Sequence, residues 1–284
     1  MKITDFGKIM VIVPHQDDEL LLTAGVLYAA VQAGQKPHVV MVTNGDYGCH
    51  DHTVGYARLS ETLAGVELLG VPAEQVTFLG YADTGMPRAE SFLAGLYEET
   101  DENKVHPSHC GTETYGLPDK ADFHTQHFGN PAPYTKAGFV QDLKAVLDEI
   151  DPDSIITTAL CDTHGDHSGL YQFICDELRS RREDGKKVPT LYTGLVHSPA
   201  GDENWPLRDG VRPLTCPEGL ESASTLRWEE RIVLPVPQEM RNEDLAQNLK
   251  HRAISCHKTA LKPDAVDFLY SFVKTDEVFW KVDL

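Results

Sequence analysis

The sequence predicts an α/β fold: a mostly parallel sheet with helices on both faces, in one domain. Three observations carry this. Short, wholly apolar runs rich in Val and Ile alternate with longer segments of helical periodicity, which is how strands buried on both sides by crossover helices read. No Ser/Gly-rich or Pro-rich linker separates two cores, so residues 1–284 are read as a single unit. The chain is 41% hydrophobic over 284 residues, enough to bury a sizeable core.

Taken in order, residues 8–14 (KIMVIVP) form a first buried strand. Asp17, Asp18 and Glu19 follow, suited to the positive end of a helix over 20–33 that Gly34 stops. Residues 37–43 (PHVVMVT) form a second strand, closed by the turn Asn44-Gly45-Asp46. A helix over 56–69 ends at Gly70-Val71-Pro72, and 76–79 form a third strand. A helix over 136–150 stops before Pro152, a fourth strand covers 154–158, and a helix covers 169–182. Strands at 191–197 and 231–236 precede a closing helix at 238–257.

The arrangement is Rossmann-like, but no G-x-G-x-x-G follows the first strand and no Walker A sequence is present. No nucleotide cofactor is indicated. Two stretches break the alternation. Residues 84–135, rich in Gly, Pro, His and Asp, read as an insertion that covers the site or builds an oligomer interface near it. Residues 198–284 read as a C-terminal extension of irregular loops, strand and helix.

Composition excludes some functions. The net charge is −19, from 44 acidic and 25 basic residues, and the densest basic stretch, 179–187, is interrupted by Glu183 and Asp184. Nucleic acid is not an expected partner, because phosphates require a basic patch. No apolar run approaches the roughly 20 residues that cross a bilayer, and residues 1–13 lack a signal-peptide layout. Cys49, Cys110, Cys161, Cys175, Cys216 and Cys256 form no C-x-x-C pair. Free thiols and a cytoplasmic location are expected.

The chemistry concentrates at two places. Pro14-His15-Gln16-Asp17-Asp18-Glu19 follows the first strand, and Asp162-Thr163-His164-Gly165-Asp166-His167 follows the fourth. Both fall at the carboxyl edge of a parallel sheet, where such folds bind ligands. Together they offer three His and four Asp. A catalytic zinc takes three protein ligands and keeps one position open; two His and one carboxylate suffice. The bound ion lowers the pKa of water toward neutrality, and a second carboxylate supplies a base. Each motif alone has a bland reading, since Asp17 or Asp18 could merely cap the helix. The same set also fits the facial triad of non-haem iron oxygenases; the second Asp favours hydrolysis, which needs a base.

These residues resemble the LmbE-like, or PIG-L, family of zinc-dependent N-deacetylases. The family's His-Pro-Asp-Asp-Glu signature is similar to His15-Gln16-Asp17-Asp18-Glu19, with Gln in place of Pro, and its His-x-Asp-His motif to His164-Gly165-Asp166-His167. Arg58, Glu61, Ala64 and Leu69-Gly70 match a further pattern, followed by Phe78-Leu79 and Asp83. Lys250, Ala253 and His257-Lys258 look like the family's last helix. The resemblance covers 1–83 and 136–175, and 245–260 more loosely.

The resemblance implies His15, Asp18 and His167 as metal ligands, with Zn2+ the expected ion and Fe2+ or another divalent metal the alternative. It implies Asp17 as general base and later acid, His164 as the oxyanion group, Asp166 as the residue orienting His164, and Arg58 as a substrate contact. The other reading of Arg58 is a helix-surface ion pair with Glu61. Some members carry an oxyanion Tyr where this chain has Asp162; Tyr115 or Tyr134 of the insertion could replace it. The implied reaction removes acetyl from the nitrogen of an N-acetylated sugar or sugar-like molecule. Alternatives are an amidase for another N-acylated amine or thiol conjugate, and a non-catalytic metal- or carbohydrate-binding protein. Outside the motifs, His50, His52, His106, His109, His124 and His127 read either as polar loop residues or as a second metal site. Trp205 reads as a sugar platform or as a pin for its own loop.

Overall fold

The computed structural model describes residues 2–284. Seven strands form one sheet in the order β3-β2-β1-β4-β5-β7-β6: β1 (Ile9–Val13), β2 (His38–Thr43), β3 (Val76–Tyr81), β4 (Ser154–Thr158), β5 (Thr190–Gly194), β6 (Ile232–Pro235) and β7 (Asp276–Lys281). The first five pair in parallel, and β7 and β6 add an antiparallel edge. The helices are α1 (Asp18–Gln32), α2 (Thr53–Glu67), α3 (Phe92–Glu98), α4 (Phe123–Phe128), α5 (Lys136–Ile150), α6 (Gly165–Glu183), α7 (Leu220–Ala223), α8 (Leu249–Ile254) and α9 (Val266–Ser271).

The pleat explains why the strands are apolar throughout. In β1, Ile9, Val11 and Val13 enter one core with α1, α2 and α8. Met10 and Ile12 enter the other with α3, α5 and α6. Successive side chains point to opposite faces, so a strand covered on both sides has no solvent position to give to a polar residue. Chain order reverses between β1 and β4, which lie side by side. The residues that follow these two strands therefore meet at a topological switch point.

Three expectations are corrected. The closing helix over 238–257 is broken: only Leu249–Ile254 is α-helical, behind short 3-10 turns at Gln238–Met240 and Leu245–Gln247. Asn248 caps α8 through its side chain and donates its amide to the carbonyls of Met240 (2.7 Å) and Asn242 (3.0 Å). Asn and Asp side chains thus compete with the helical ladder the apolar spacing suggested. Beyond it, α9 and the antiparallel strand β7 end the chain.

The insertion does not roof the site. Phe92, Leu93, Leu96, Phe123 and Tyr134 build the core on the α5/α6 face. Helix α3 crosses α6 where Gly169 leaves room: a Cβ there would lie 2.7 Å from the Ala94 nitrogen. This close crossing carries the Leu93 N–H to the site described next.

The strand expected over 191–197 ends as β5 at Gly194. The N–H groups of Val196 and His197 turn instead to Asp162 Oδ2, each at 3.0 Å. No helix is long and apolar enough to cross a membrane among the described residues.

Candidate metal and catalytic site

Three buried atoms converge at the switch point. His15 Nδ1 lies 3.2 Å from His167 Nε2, His167 Nε2 lies 3.2 Å from Asp18 Oδ2, and Asp18 Oδ2 lies 3.4 Å from His15 Nδ1. Ligands of a tetrahedral zinc, each about 2.0–2.1 Å from the ion, sit about 3.3 Å apart. The triangle fits one face of such an ion, and His15 and Asp18 line a cleft of about 390 Å³. Ring nitrogens of His15, His164 and His167 also fall within 4.8 Å of one another. His164 Nδ1, however, is already engaged by the Asp166 N–H at 3.2 Å, which leaves Asp18 the better third ligand.

Further carboxylates fix the rings. His15 Nε2 lies 3.1 Å from Asp166 Oδ2 and 4.0 Å from Asp83 Oδ2. Asp166 Oδ1 accepts the Leu93 N–H at 2.7 Å. His167 Nδ1 contacts Asp162 Oδ2 at 3.0 Å. Around a bound ion, a carboxylate–histidine layer of this kind would set ring orientation and ligand basicity.

The charge balance asks for a cation. Burial lowers the His15 pKa, but Asp166, Asp18 and Asp83 outweigh it and hold the ring at about 10. Burial likewise opposes charge on His167, and Asp162 and Asp18 overcome it, raising its pKa well above the ordinary value. A divalent ion would displace these protons and supply the positive charge in their place.

Asp17 stands beside this triangle in a costly conformation, with φ 120° and ψ −35°. Such backbone survives only where its surroundings over-determine it, and it clusters at functional sites. The Asp17 N–H donates to Glu19 Oε2 at 2.9 Å. Glu19 Oε1 is held 2.9 Å from His257 Nε2. Arg58 donates to the Gln16 carbonyl at 2.8 Å and approaches Asp17 Oδ2 at 3.7 Å. Although Asp17 sits at the N-cap position, its side chain accepts no capping bond; the carboxylate stays available to the cleft it lines. Burial pushes its pKa up to about 6 against the pull of Arg58.

His164 presents a defined face. Its Nδ1 accepts from the Asp166 N–H, so the neutral ring carries its proton on Nε2. Burial, then the neighbouring His15 and His167, push its pKa down and keep it neutral. A neutral imidazole with an Nε2–H lining the cleft can donate to a developing oxyanion.

Several sequence-based assignments change. The Asp166 carboxylate reaches His15, and only its backbone meets His164. Arg58 lines the cleft and donates to the carbonyls of Gly45 and Gln16, while its Nε has no partner among the described residues, and Glu61 binds Thr259 rather than Arg58. Tyr115 bonds Asp46 and Tyr134 bonds the Gly80 carbonyl, so neither faces the cleft. Trp205 is buried and donates to the Leu195 carbonyl, pinning its loop. Of the remaining histidines, His52 stacks on Tyr115, His50 meets His109 edge-on, and His106, His124 and His127 pair with Glu99, Asp142 and Glu149.

Other residues escaped the sequence reading. The cleft is also lined by residues between 259 and 269, including Phe268, and by Val196 and His197. Only Met86 of the insertion lines it. His197 follows β5 at the same sheet edge as the two motifs, and that position was its one available signal.

Fold and site together define an α/β protein whose buried His–Asp centre at the sheet switch point can hold a divalent ion. Residues 10–177 match the family described as PIG-L, GlcNAc-PI de-N-acetylase, and the chain belongs to that family. No curated protein sequence matches it significantly. Among solved structures, it is similar to an antimicrobial-reagent pseudoaglycone deacetylase at 17% identity, with 98% of this chain and 97% of that one covered and a TM-score of 0.56. It is similar to the N,N'-diacetylchitobiose deacetylase of Pyrococcus horikoshii at 14% identity, 99% and 85% coverage and a TM-score of 0.55. It is also similar to the 4-carboxy-2-hydroxymuconate hydratase of Pseudomonas putida at 16% identity, 98% and 97% coverage and a TM-score of 0.54. Likeness at these identities is one of fold, and the fold serves more than one chemistry.

Proposed function

We propose that this chain hydrolyses the acetamide of an N-acetylated sugar or sugar-like amine, releasing acetate and the free amine, with a divalent ion, zinc first, held by His15, Asp18 and His167. The observation that carries the reading is the pairing of neighbours: Asp18 in the ligand triangle and Asp17 beside it, strained, lining the cleft and making no capping bond. An ion bound there lowers the pKa of water toward neutrality and polarises a carbonyl. Asp17 takes the proton of the attacking water and returns it to the departing nitrogen. His164 donates Nε2–H to the carbonyl oxygen as it gains charge. Asp166 and Asp162 hold the two ligand rings, and Arg58 and Glu19 hold Asp17. The neighbours named as deacetylases support this reading.

A second reading, an amidase for a less polar N-acylated amine or thiol conjugate, is favoured by the apolar wall of Leu21, Met86, Val196, Phe268 and Leu269. The six free cysteines agree with a cytoplasmic protein. The test is acetate release from a panel of N-acetylated sugars and simple N-acetylated amines, with zinc or iron restored to metal-free protein. Metal-dependent release from sugars is expected; release from none of the panel overturns both readings.

A further inference from the structure

The cleft contains a second imidazole whose hydrogen-bonding sense is opposite to that of His164. His197 lines the cleft beyond β5. Its Nδ1 lies 2.7 Å from Asp202 Oδ2, and the other oxygen of Asp202 accepts the Ser198 N–H at 2.8 Å, which fixes the carboxylate. The His197 ring lies against Phe268, with centroids 5.1 Å apart and planes 13° from parallel, and its own N–H is tied to Asp162 Oδ2 at 3.0 Å. The ring is therefore held at one face, at Nδ1 and through its backbone. Nε2 has no hydrogen-bond partner among the described residues and is not among the buried unpartnered atoms, so it is the polar atom the ring offers to the cleft.

A carboxylate accepts only, so Asp202 takes the Nδ1–H, and Nε2 of the neutral ring carries a lone pair. Beside it His164 is set the other way: a backbone N–H occupies Nδ1 and the proton sits on Nε2. The ring centroids lie 5.8 Å apart. A ligand in contact with both meets a donor at His164 and an acceptor at His197. An acetamide carbonyl suits the first. The second needs an O–H or N–H on the part of the substrate that leaves with the amine.

We infer that His197 is a substrate-contacting residue that accepts a hydrogen bond from a hydroxyl of the amine portion, selecting hydroxylated, sugar-like acetamides over apolar ones. This rests on the proposed deacetylase reading and sharpens its substrate class. It also decides between the two readings of the cleft, because the apolar wall alone would favour the opposite preference.

The test compares N-acetylglucosamine with N-acetylcyclohexylamine, a six-membered ring without hydroxyls, in metal-loaded wild-type protein and in His197→Phe and His197→Gln. Both turnover and equilibrium binding are measured. Phe preserves the stack on Phe268 and removes the acceptor; Gln restores one. Wild type is expected to prefer the sugar by about tenfold or more in kcat/KM and in Kd, the scale of one net hydrogen bond. His197→Phe should lose that preference while leaving the cyclohexyl compound within about twofold, with metal content unchanged, and His197→Gln should recover part of it. Equal losses on both compounds in His197→Phe, an unchanged preference, or no binding of the sugar by wild type would each overturn the inference. If the sugar binds with the expected His197 dependence but no acetate is released, the deacetylase reading fails and the acceptor assignment stands.

Discussion

Asp17 and Glu19 are joined by a 2.9 Å hydrogen bond from the backbone nitrogen of the first to Oε2 of the second. It spans the start of α1 and helps hold Asp17 at φ 120°. Glu19 in turn is anchored by His257, 238 residues away, so the last part of the fold sets the position of a group at the first strand's end. Glu19 is a positioning residue on this view. Glu19→Gln should lower kcat about tenfold at unchanged metal content. In an Asp17→Asn background it should add almost nothing, since coupled sites are non-additive. Independent, multiplying losses in the double variant would show that Glu19 serves only stability.

The two adjacent aspartates separate by role. Asp17→Asn should lower turnover by about 10²–10⁴-fold, the usual worth of general base catalysis, with metal near stoichiometric. Asp18→Asn should lose the metal itself. Near-normal turnover of metal-loaded Asp17→Asn would reduce Asp17 to a helix start.

The carboxylates behind the ligands should tune affinity without binding the ion. Asp162→Asn is expected to weaken metal binding about 10–100-fold. Loading wild-type protein at 100 times its Kd should stabilise it by about 2.7 kcal/mol, read as a higher Tm that chelation reverses. A Tm insensitive to metal and chelator would contradict the ligand triangle.

A buried ion pair ties the C-terminal extension to the first helix. Lys250 Nζ lies 2.8 Å from Glu277 Oε1 and 2.8 Å from the Leu21 carbonyl, and the Glu277 oxygens accept the N–H groups of Gly25 (2.8 Å) and Val26 (3.0 Å). Lys250→Met strands the Glu277 charge in the interior. A loss of about 3–5 kcal/mol is expected, measured by denaturant unfolding; a change under 1 kcal/mol would show that water reaches the pair.

Acid stability should reflect His38. Burial, with Lys120 and Lys8, pushes its pKa down to about 4, and its Nε2 lies 2.8 Å from Thr77 Oγ1. Above pH 6.5 the ring is neutral in folded and unfolded chains alike. Between pH 6.5 and 4 the unfolded chain binds more protons, so stability falls as pH falls, by roughly 2 kcal/mol once partial exposure is allowed for. His38→Asn removes the titration, and its stability should decline less across that window; a parallel decline would place the acid sensitivity elsewhere.

The sequence by itself determined the doubly covered sheet and the pair of motifs at its carboxyl edge. The strands betray themselves because both faces are buried, and the motifs holding His15, Asp17, Asp18, His164 and His167 follow two strands whose carboxyl ends a parallel sheet places at one edge. What the tertiary structure decided are relationships across long separations. Asp166 serves His15 rather than its neighbour His164, because α6 aims its carboxylate across the switch point. The cleft wall at 259–269, the tether from His257 to Glu19, and the opposed senses of His164 and His197 have no local signature either. Hydrophobic period and turn chemistry act over a few residues, whereas the partner of a buried polar group is settled only when distant segments pack and every donor must find its acceptor.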